Sequence, residues 1–514
     1  MNGPMDLPDP FYGYSTLLNV LIYAGLPLFG ILQFFRLRRA LHVFQLEGYK
    51  RVNFRQWVRA HPGRARWMSS APAKKPLAMT GRAWRILILS LLLSVLGVFG
   101  AWAIGHLALG GWPADFIAYL AALAAIFLFS AHVLTLADWI LTPWQKAIND
   151  TYARRARRKL DVVSPLVIGI TGSYGKTSTK FAIEKLVAPG GGALATPGSY
   201  NTTLGVVRTV NEHLGAAHKY FIVEMGAKQR GDIAEIVAFA RPHVAVLTAI
   251  GPAHLESFGS MDNVRQAKYE IVAGLAADGV AVMNTDDSEV RALAGETKNV
   301  KVVRYGLAPE GEPDVSARHI QITPVGTSFT IVDRRTNESV RATTTLLGRH
   351  SIGNLLGAVA VCLEAGRKLP ELVGAIRRLS PVEHRLQIIR GVGGVTVIDD
   401  AFNSNPDGAA AALEVIDAMD ASNKIVVTPG IIELGPLQAE ANERFGEHAG
   451  RVADALVIVA SVNRDALMVG GRRGGRAQIM AVDTLAEAQE AIKPLTTADT
   501  VVLFENDLPD QYEG

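Results

Sequence analysis

The segment that most constrains this 514-residue chain runs from Leu166 to Ser178. An apolar run, Leu166-Val-Ile-Gly-Ile170, leads into Thr171-Gly-Ser-Tyr-Gly-Lys-Thr-Ser178, and a helix-forming stretch follows from Lys180 to Val187. Strand, glycine loop and helix in that order make a phosphate-binding loop within an α/β fold. Backbone N–H groups and the helix N-terminus would cradle phosphate oxygens, with Thr171, Gly172, Ser173, Gly175, Lys176, Thr177 and Ser178 as the lining. Lys176 supplies a point charge for the β/γ-phosphates, and the Thr177 hydroxyl suits Mg²⁺. The standard loop needs glycine at position 170, where this chain has Ile170, so the loop is a variant.

Short apolar runs near residues 166, 221, 244, 280 and 302 alternate with helical patterns, which predicts a parallel α/β sheet. The run Tyr220–Glu224 ends in a carboxylate, where a Mg²⁺ ligand belongs beside such a loop. Gln321–Val332 and Ser339–Leu347 alternate around Thr336-Asn337 and predict a small antiparallel hairpin patch. Thr396–Asp399, Lys424–Thr428, Ala455–Val459 and Thr500–Phe504 predict the strands of a second, Rossmann-like domain. Gly190–Gly192 reads as a loop, Asn284–Asp287 as a strand-end turn, and Cys362 as part of an apolar helix. That single cysteine excludes an internal disulfide and a Cys-based zinc cluster. On spacing alone, His254 is a loop histidine and Lys268 a surface lysine.

As a set, these motifs resemble the Mur ligase superfamily of ATP-dependent amide-forming enzymes over about residues 164–514. The loop TGSYGKTS departs from the standard form as the family's loop does. Thr196–Gly205, Glu224–Ile233, Gly348–Asn354, Glu383-His-Arg385 and Asp399–Pro406 are similar to its later motifs, in family order. EMGAKQRGDI and DDAFNSNPDG are closest to the branch that adds D-alanyl-D-alanine. The resemblance implies ATP and two Mg²⁺ ions, held by Thr177, Glu224, His254 and a carbamylated Lys268. It further implies Asn354 at the nucleotide base, Arg385 at the γ-phosphate, and Asp399 or Asp400 near the ribose or in domain closure. Asn201, Thr202, Asn403 and Asn405 would meet substrate, and the Gly430–Pro436 and Asn463–Gly475 loops would select the incoming amine. Lys176, Lys268, His254 and Arg385 would be the catalytic set. The implied reaction activates a carboxylate as an acyl phosphate, which an amino acid or dipeptide amine then attacks.

The first part of the chain differs in character. Residues 1–159 carry 19 Lys/Arg against 6 Asp/Glu, clustered around the uncharged runs Phe11–Phe35, Ile86–Leu107 and Phe116–Ala137, the last fading to Leu141. Each approaches the roughly 20 apolar residues that cross a bilayer, and the whole chain is only 19% charged, against about 25% in soluble proteins. Three membrane helices are therefore expected, with the basic residues facing anionic lipid rather than nucleic acid. The basic loop 36–85 and the basic segment after residue 141 predict a bacterial inner-membrane protein with its N-terminus outside and its ligase domains in the cytosol. His106, His132 and Asp138 are expected to snorkel or lie at the interface, where Trp102, Trp112 and Trp139 form a belt.

The expected layout is a membrane module at 1–145, a basic linker at 146–163, an ATP domain at 164–379 and a C-terminal domain at 380–514. No UDP-sugar-binding domain is visible at the start, so a lipid-linked or polymeric carboxylate acceptor is expected, and a partner subunit is possible on this reading. A poly-γ-glutamate-type synthetase and a non-catalytic or partner-dependent ATP-binding scaffold are the alternative functions.

Overall fold

The computed structural model describes residues 12–60, 76–109, 114–198, 200–323, 326–401 and 404–508. Two compact units divide at Asp150 and Thr151. The first contains α1 (Tyr12–Leu46), α2 (Arg51–Ala60), α3 (Gly81–Leu109), α4 (Ala114–Leu128) and the start of α5 (Ser130–Val163). Among the described residues one helix is long and apolar enough to cross a membrane, at Gly81–Gly105 within α3, or two if the bent pair α4–α5 counts as one. The first expected run lies in α1, but its side chains up to residue 24 fall outside the described set, as do those of His106 and Trp112. The third run is not one straight span. It breaks at Phe129, where α4 and α5 meet at 74°.

Buried polar groups account for that break. Arg36 donates from Nε to Ser130 Oγ at 3.1 Å and from Nη2 to the Leu128 carbonyl at 3.2 Å, answering backbone left over where α4 stops. Gln33 bridges to Ser94 at 3.0 Å and accepts from Ser130 at 3.2 Å. Asp138 is buried and paired with Arg82 at 3.0 Å and Arg51 at 3.4 Å. It is an internal counter-ion, not the interfacial group expected. The segment expected as a linker, 146–163, is helical as the second half of α5.

The second unit contains two sheets. The first is built from β1 (Leu166–Thr171), α6 (Lys176–Val187), β2 (Gly192–Ala195), α7 (Thr203–His213), β3 (His218–Glu224), α8 (Asp232–Ala240), β4 (Val244–Leu247), α9 (Leu255–Phe258), α10 (Met261–Ala273), β5 (Val280–Asn284), α11 (Ser288–Glu296), β6 (Lys301–Gly306), β7 (Val315–Thr323), β8 (Gly326–Asp333) and β9 (Glu338–Thr344). The strand order is β2-β3-β1-β4-β5-β6-β7-β8-β9. Strands β1 and β4 are buried on both faces, which is why they read as continuous apolar runs rather than alternating ones. Helix α12 (Arg349–Glu364) packs into the core with Cys362 fully buried, and α13 (Leu369–Arg377) follows.

Two expectations change here. Gly192 opens a strand, because β2 pairs in parallel with β3 at the sheet edge. The run Gln321–Val332 is two strands, and the expected antiparallel hairpin patch, β7-β8-β9, joins the edge of the main sheet. The β8–β9 turn lies where expected, with Asn337 at φ 56°, a conformation asparagine tolerates.

The second sheet comprises β10 (Gln387–Arg390), β11 (Thr396–Asp400), α14 (Pro406–Asp417), β12 (Asn423–Thr428), α15 (Gln438–Val452), β13 (Ala455–Val459), α16 (Arg464–Gly474), β14 (Gln478–Val482), α17 (Leu485–Ile492) and β15 (Thr500–Glu505). Its order, β10-β11-β15-β12-β13-β14, is parallel except for β10. The region Asn463–Gly475, expected as a loop, is helix α16. Its glycines let it lie backbone to backbone against α15: a Cβ on Gly470 would stand 2.0 Å from the Glu443 carbonyl oxygen, and one on Gly450 2.4 Å from that of Gly471. Rigid helix backbone cannot yield cheaply to that overlap. Gly470→Ala should destabilise the module by about 1–3 kcal/mol, read as a lowered thermal midpoint, whereas alanine at exposed, open Gly295 should not.

Candidate active site

The phosphate loop begins where β1 ends, between two parallel neighbours, β3 and β4. Parallel strands expose their carboxyl ends to one crevice, and that crevice is where α/β sheets bind ligands. Gly172 (φ 154°) and Gly175 (φ 76°) shape the loop, and α6 begins at Lys176, earlier than the expected Lys180. A Cβ on Gly172 would overlap Thr248 Oγ1 at 2.0 Å, and one on Gly175 would meet Asn354 Oδ1 at 2.3 Å. Asn354 of α12 therefore sits directly over the loop. Ser173 is pinned by its Oγ to the Gly251 carbonyl at 3.0 Å, and Thr171 by its Oγ1 to that of Met225 at 2.7 Å. Lys176 folds back onto the carbonyls of Gly172 at 2.6 Å and Ser173 at 3.2 Å, which are weak partners beside a phosphate.

Glu224 ends β3 as expected, and its side chain is 2% exposed. Thr177 donates to its Oε2 at 3.1 Å, Asn201 Nδ2 lies 3.4 Å from Oε1, and Lys180 pairs with Oε2 at 3.0 Å. The structure thus joins Thr177, Glu224 and Asn201, and adds Lys180. Lys268, far from being a surface lysine, is buried on α10. Desolvation, and then the neighbouring Lys176 cation, bring its ammonium down to about 7. Burial also lowers Lys176, with Arg385 adding to the effect and Glu224 opposing it. Arg385 is lowered by burial as well, against Asp400, Glu224 and Glu505. Lys176, Lys268, Arg385 and Glu224 therefore share one electrostatic neighbourhood.

His254 does not join Glu224. It sits in the left-handed region at φ 58° before α9, with its Nδ1 hydrogen-bonded to Glu433 of the second sheet's domain. Glu433 is held below the usual carboxylate range by that bond. Asp399 accepts from His384 Nδ1 at 2.6 Å, while burial raises Asp400 to about 6. Thr202 and Asn405, expected at substrate, act here as helix N-caps, accepting from the N–H of Gly205 at 3.3 Å and Gly408 at 2.8 Å. Ser178 lies in the first turn of α6. Asn403 falls outside the described residues.

Sequence reasoning missed Lys180, Glu433 and Glu505. Lys180 lies one helical turn after Lys176, but that spacing does not reveal that it is fully buried. Glu505 ends β15 and is buried between Ser404 and Thr428. Burial and the neighbouring Asp400 push it up to about 8.

The loop fits a nucleotide phosphate, with glycines that no Cβ could replace and a helix N-terminus behind them. His350 Nδ1 is buried without a hydrogen-bond partner among the described residues, which marks room for a donor at the start of α12. Thr177 with Glu224 suits one Mg²⁺, an ion that takes one or two carboxylates and keeps several waters. For a second ion the donors are short. No group of three His, Cys, Asp or Glu among the described residues could hold a metal. His254 is engaged by Glu433, and unmodified Lys268 brings no oxygen.

Comparison with known proteins accords with this geometry. Residues 170–362 match the Mur ligase middle domain, and residues 384–505 match the Mur ligase glutamate ligase domain. Both segments are therefore similar to Mur ligase domains. The UDP-N-acetylmuramoyl-tripeptide–D-alanyl-D-alanine ligase of Mycobacterium tuberculosis is 35% identical over 307 residues, covering 58% of this chain and 59% of that enzyme. Its Escherichia coli counterpart is 32% identical over 283 residues, covering 55% and 62%. The chain thus spans about three fifths of the length of these relatives. MurF from Acinetobacter baumannii superposes with a TM-score of 0.63 at 26% identity, covering 71% of this chain and 78% of that one. Members of the Mur ligase family are ATP-dependent amide ligases.

The loop geometry gives a direct test. Alanine at position 175 would combine a left-handed backbone with an overlap onto Asn354, a strain of about 1–3 kcal/mol. Gly175→Ala should weaken binding of a fluorescent ATP analogue at least about tenfold while the circular dichroism spectrum stays unchanged.

Proposed function

We propose that this chain is an ATP-dependent carboxylate–amine ligase of cell-wall peptide synthesis, similar to the D-alanyl-D-alanine-adding Mur ligases. The observation that carries the reading is the convergence of Lys176, Thr177, Glu224, Lys268 and Arg385 on one glycine loop. The reaction must bring a substrate carboxylate against the γ-phosphate, two anions that repel. Lys176 and Arg385 offset that repulsion inside a water-poor site, where charges act strongly. The carboxylate oxygen attacks the γ-phosphorus and ADP leaves. The amine nitrogen then attacks the acyl carbon, phosphate leaves, and the nitrogen gives up a proton. Mg²⁺, held through Thr177 and Glu224, would supply Lewis-acid charge on the phosphate oxygens. Asn354 and His350 are placed to orient the nucleotide, and His254 with Glu433 ties the two domains in register.

Lys268 completes the reading. CO₂ adds only to a neutral amine, and an ammonium near 7 is substantially neutral at cellular pH. The carbamate would supply the carboxylate that the second metal position lacks. Below about pH 7 the protonated amine takes over, so carbamylation should fall as the solution is acidified. In ¹³C-bicarbonate at pH 8 a carbamate ¹³C resonance should appear, fade toward pH 6, and be missing in Lys268→Arg. Its persistence in that variant would assign it to another amine.

The reading places the ligase at a membrane. Support comes from α3, whose Leu92, Leu96 and Ile104 are 54%, 65% and 69% exposed, an apolar face larger than water tolerates on a soluble helix. A lipid-linked carboxylate acceptor follows from that placement, with an amino acid or dipeptide as the amine. The full chain in detergent, given ATP, Mg²⁺, membrane lipid extract and a panel of amines, should release ADP. Lys176→Ala should abolish release. Turnover on UDP-N-acetylmuramoyl tripeptide without lipid would reduce the helices to a tether, and ATP binding without any turnover would overturn the ligase reading.

A further inference from the structure

Lys180 has no part in the reaction just described, yet its side chain is fully buried beside the carboxylate on which metal binding depends. Its ammonium reaches two acceptors, Glu224 Oε2 at 3.0 Å and the Gly198 carbonyl at 2.6 Å. Gly198 belongs to the loop between β2 and α7. That loop returns to Glu224 twice more: Thr196 Oγ1 accepts from the Glu224 N–H at 3.1 Å, and Asn201 Nδ2 approaches Oε1 at 3.4 Å. The Asn201 carbonyl in turn accepts from Gly226 N–H at 2.8 Å. One buried cation thus links the phosphate-loop helix, the strand that carries the acid and the segment expected to meet substrate.

We propose that Lys180 is a positioning residue, an internal counter-ion that occupies Glu224 until a divalent ion arrives and so lowers the affinity of the metal site. A buried carboxylate is stabilised by a buried partner charge, and the Lys180 ammonium lies within ion-pair distance of Glu224. Thr177 shares Oε2 with Lys180, so a divalent ion entering between Thr177 and Glu224 meets a carboxylate oxygen already engaged by a cation. Lys180 therefore competes with the incoming ion and weakens the metal site.

The inference rests on Glu224 being the metal ligand of the proposed reaction, and its test separates the two. Mn²⁺ alone serves as probe, followed by electron paramagnetic resonance on the full chain in detergent. Lys180→Met should tighten Mn²⁺ about tenfold or more, the usual effect of removing a like charge at this range. Equal or weaker Mn²⁺ binding overturns the proposal. In EDTA, thermal unfolding of Lys180→Met, Glu224→Gln and the double variant supplies a readout independent of metal. Each single change should lower the midpoint, and the double variant, with no charge left unpaired, should unfold above Lys180→Met. Simple additivity of the two losses also overturns the proposal. If the unaltered protein binds no Mn²⁺, the metal reading of Thr177 and Glu224 fails, and the unfolding cycle alone decides the role of Lys180.

Discussion

An ionised carboxylate moved out of water carries a penalty of several kcal/mol unless charges and hydrogen bonds replace its hydration, and Glu224 is buried with 2% of its side chain exposed. Much of the local architecture serves that requirement. Strand β3 must run parallel beside β1, so that its last residue emerges beside the glycine loop. Helix α6 must start at Lys176, so that Thr177 and Lys180 reach the same oxygen from successive turns. The loop after β2 must fold back so that Asn201 reaches the other oxygen. This fold keeps the acid in the floor of the crevice by surrounding it with donors from two separate segments, α6 and the loop after β2.

The sequence made the frame legible because the frame is written in local patterns. Buried parallel strands appear as short apolar runs, and the loop's glycines appear because left-handed backbone and close approach admit little else. Strand β2 was hidden because Gly192-Ala-Leu-Ala195 at a sheet edge has neither a long apolar run nor alternation. The three-stranded extension β7-β8-β9 was only half visible, since its first turn lacks the polar signal that Thr336-Asn337 provides for the second. Lys268 was misread on spacing alone because nothing local distinguishes a buried lysine from a solvated one. Its burial is a property of α10 packed beneath β1 and β4, and only the family resemblance drew attention to it. Glu433 and Glu505 lay beyond local reading for the same reason: each gains meaning from residues that are distant in sequence.

The helical unit shows the same principle with less guidance from pattern. Uncharged runs announce apolar helices, but they do not say where a helix bends. The bend at Phe129 depends on Arg36 and Gln33, some ninety residues earlier, meeting Ser130 and the carbonyl end of α4. Asp138 similarly draws Arg51 and Arg82 onto one carboxylate. In an apolar setting such polar contacts have few competitors, so a handful of them fixes the arrangement of long helices whose apolar surfaces alone would pack in many ways.

Electrostatics around the glycine loop supply the strongest argument about ligand chemistry. Lys176, Lys268 and Arg385 are all held below their ordinary values by burial, and Lys176 is one of the causes for Lys268, as Arg385 is for Lys176. Three basic groups whose charge burial disfavours stand around Glu224, which is already paired with a fourth, while Asp400 and Glu505 oppose the shift only at Arg385. Folding alone gains little from such a cluster, since each cation would be more stable in water. A highly negative ligand would favour the charged form of each of these groups. A nucleotide triphosphate meeting a second carboxylate brings that charge, and carbamylation of Lys268 would turn one of the cations into part of the answer.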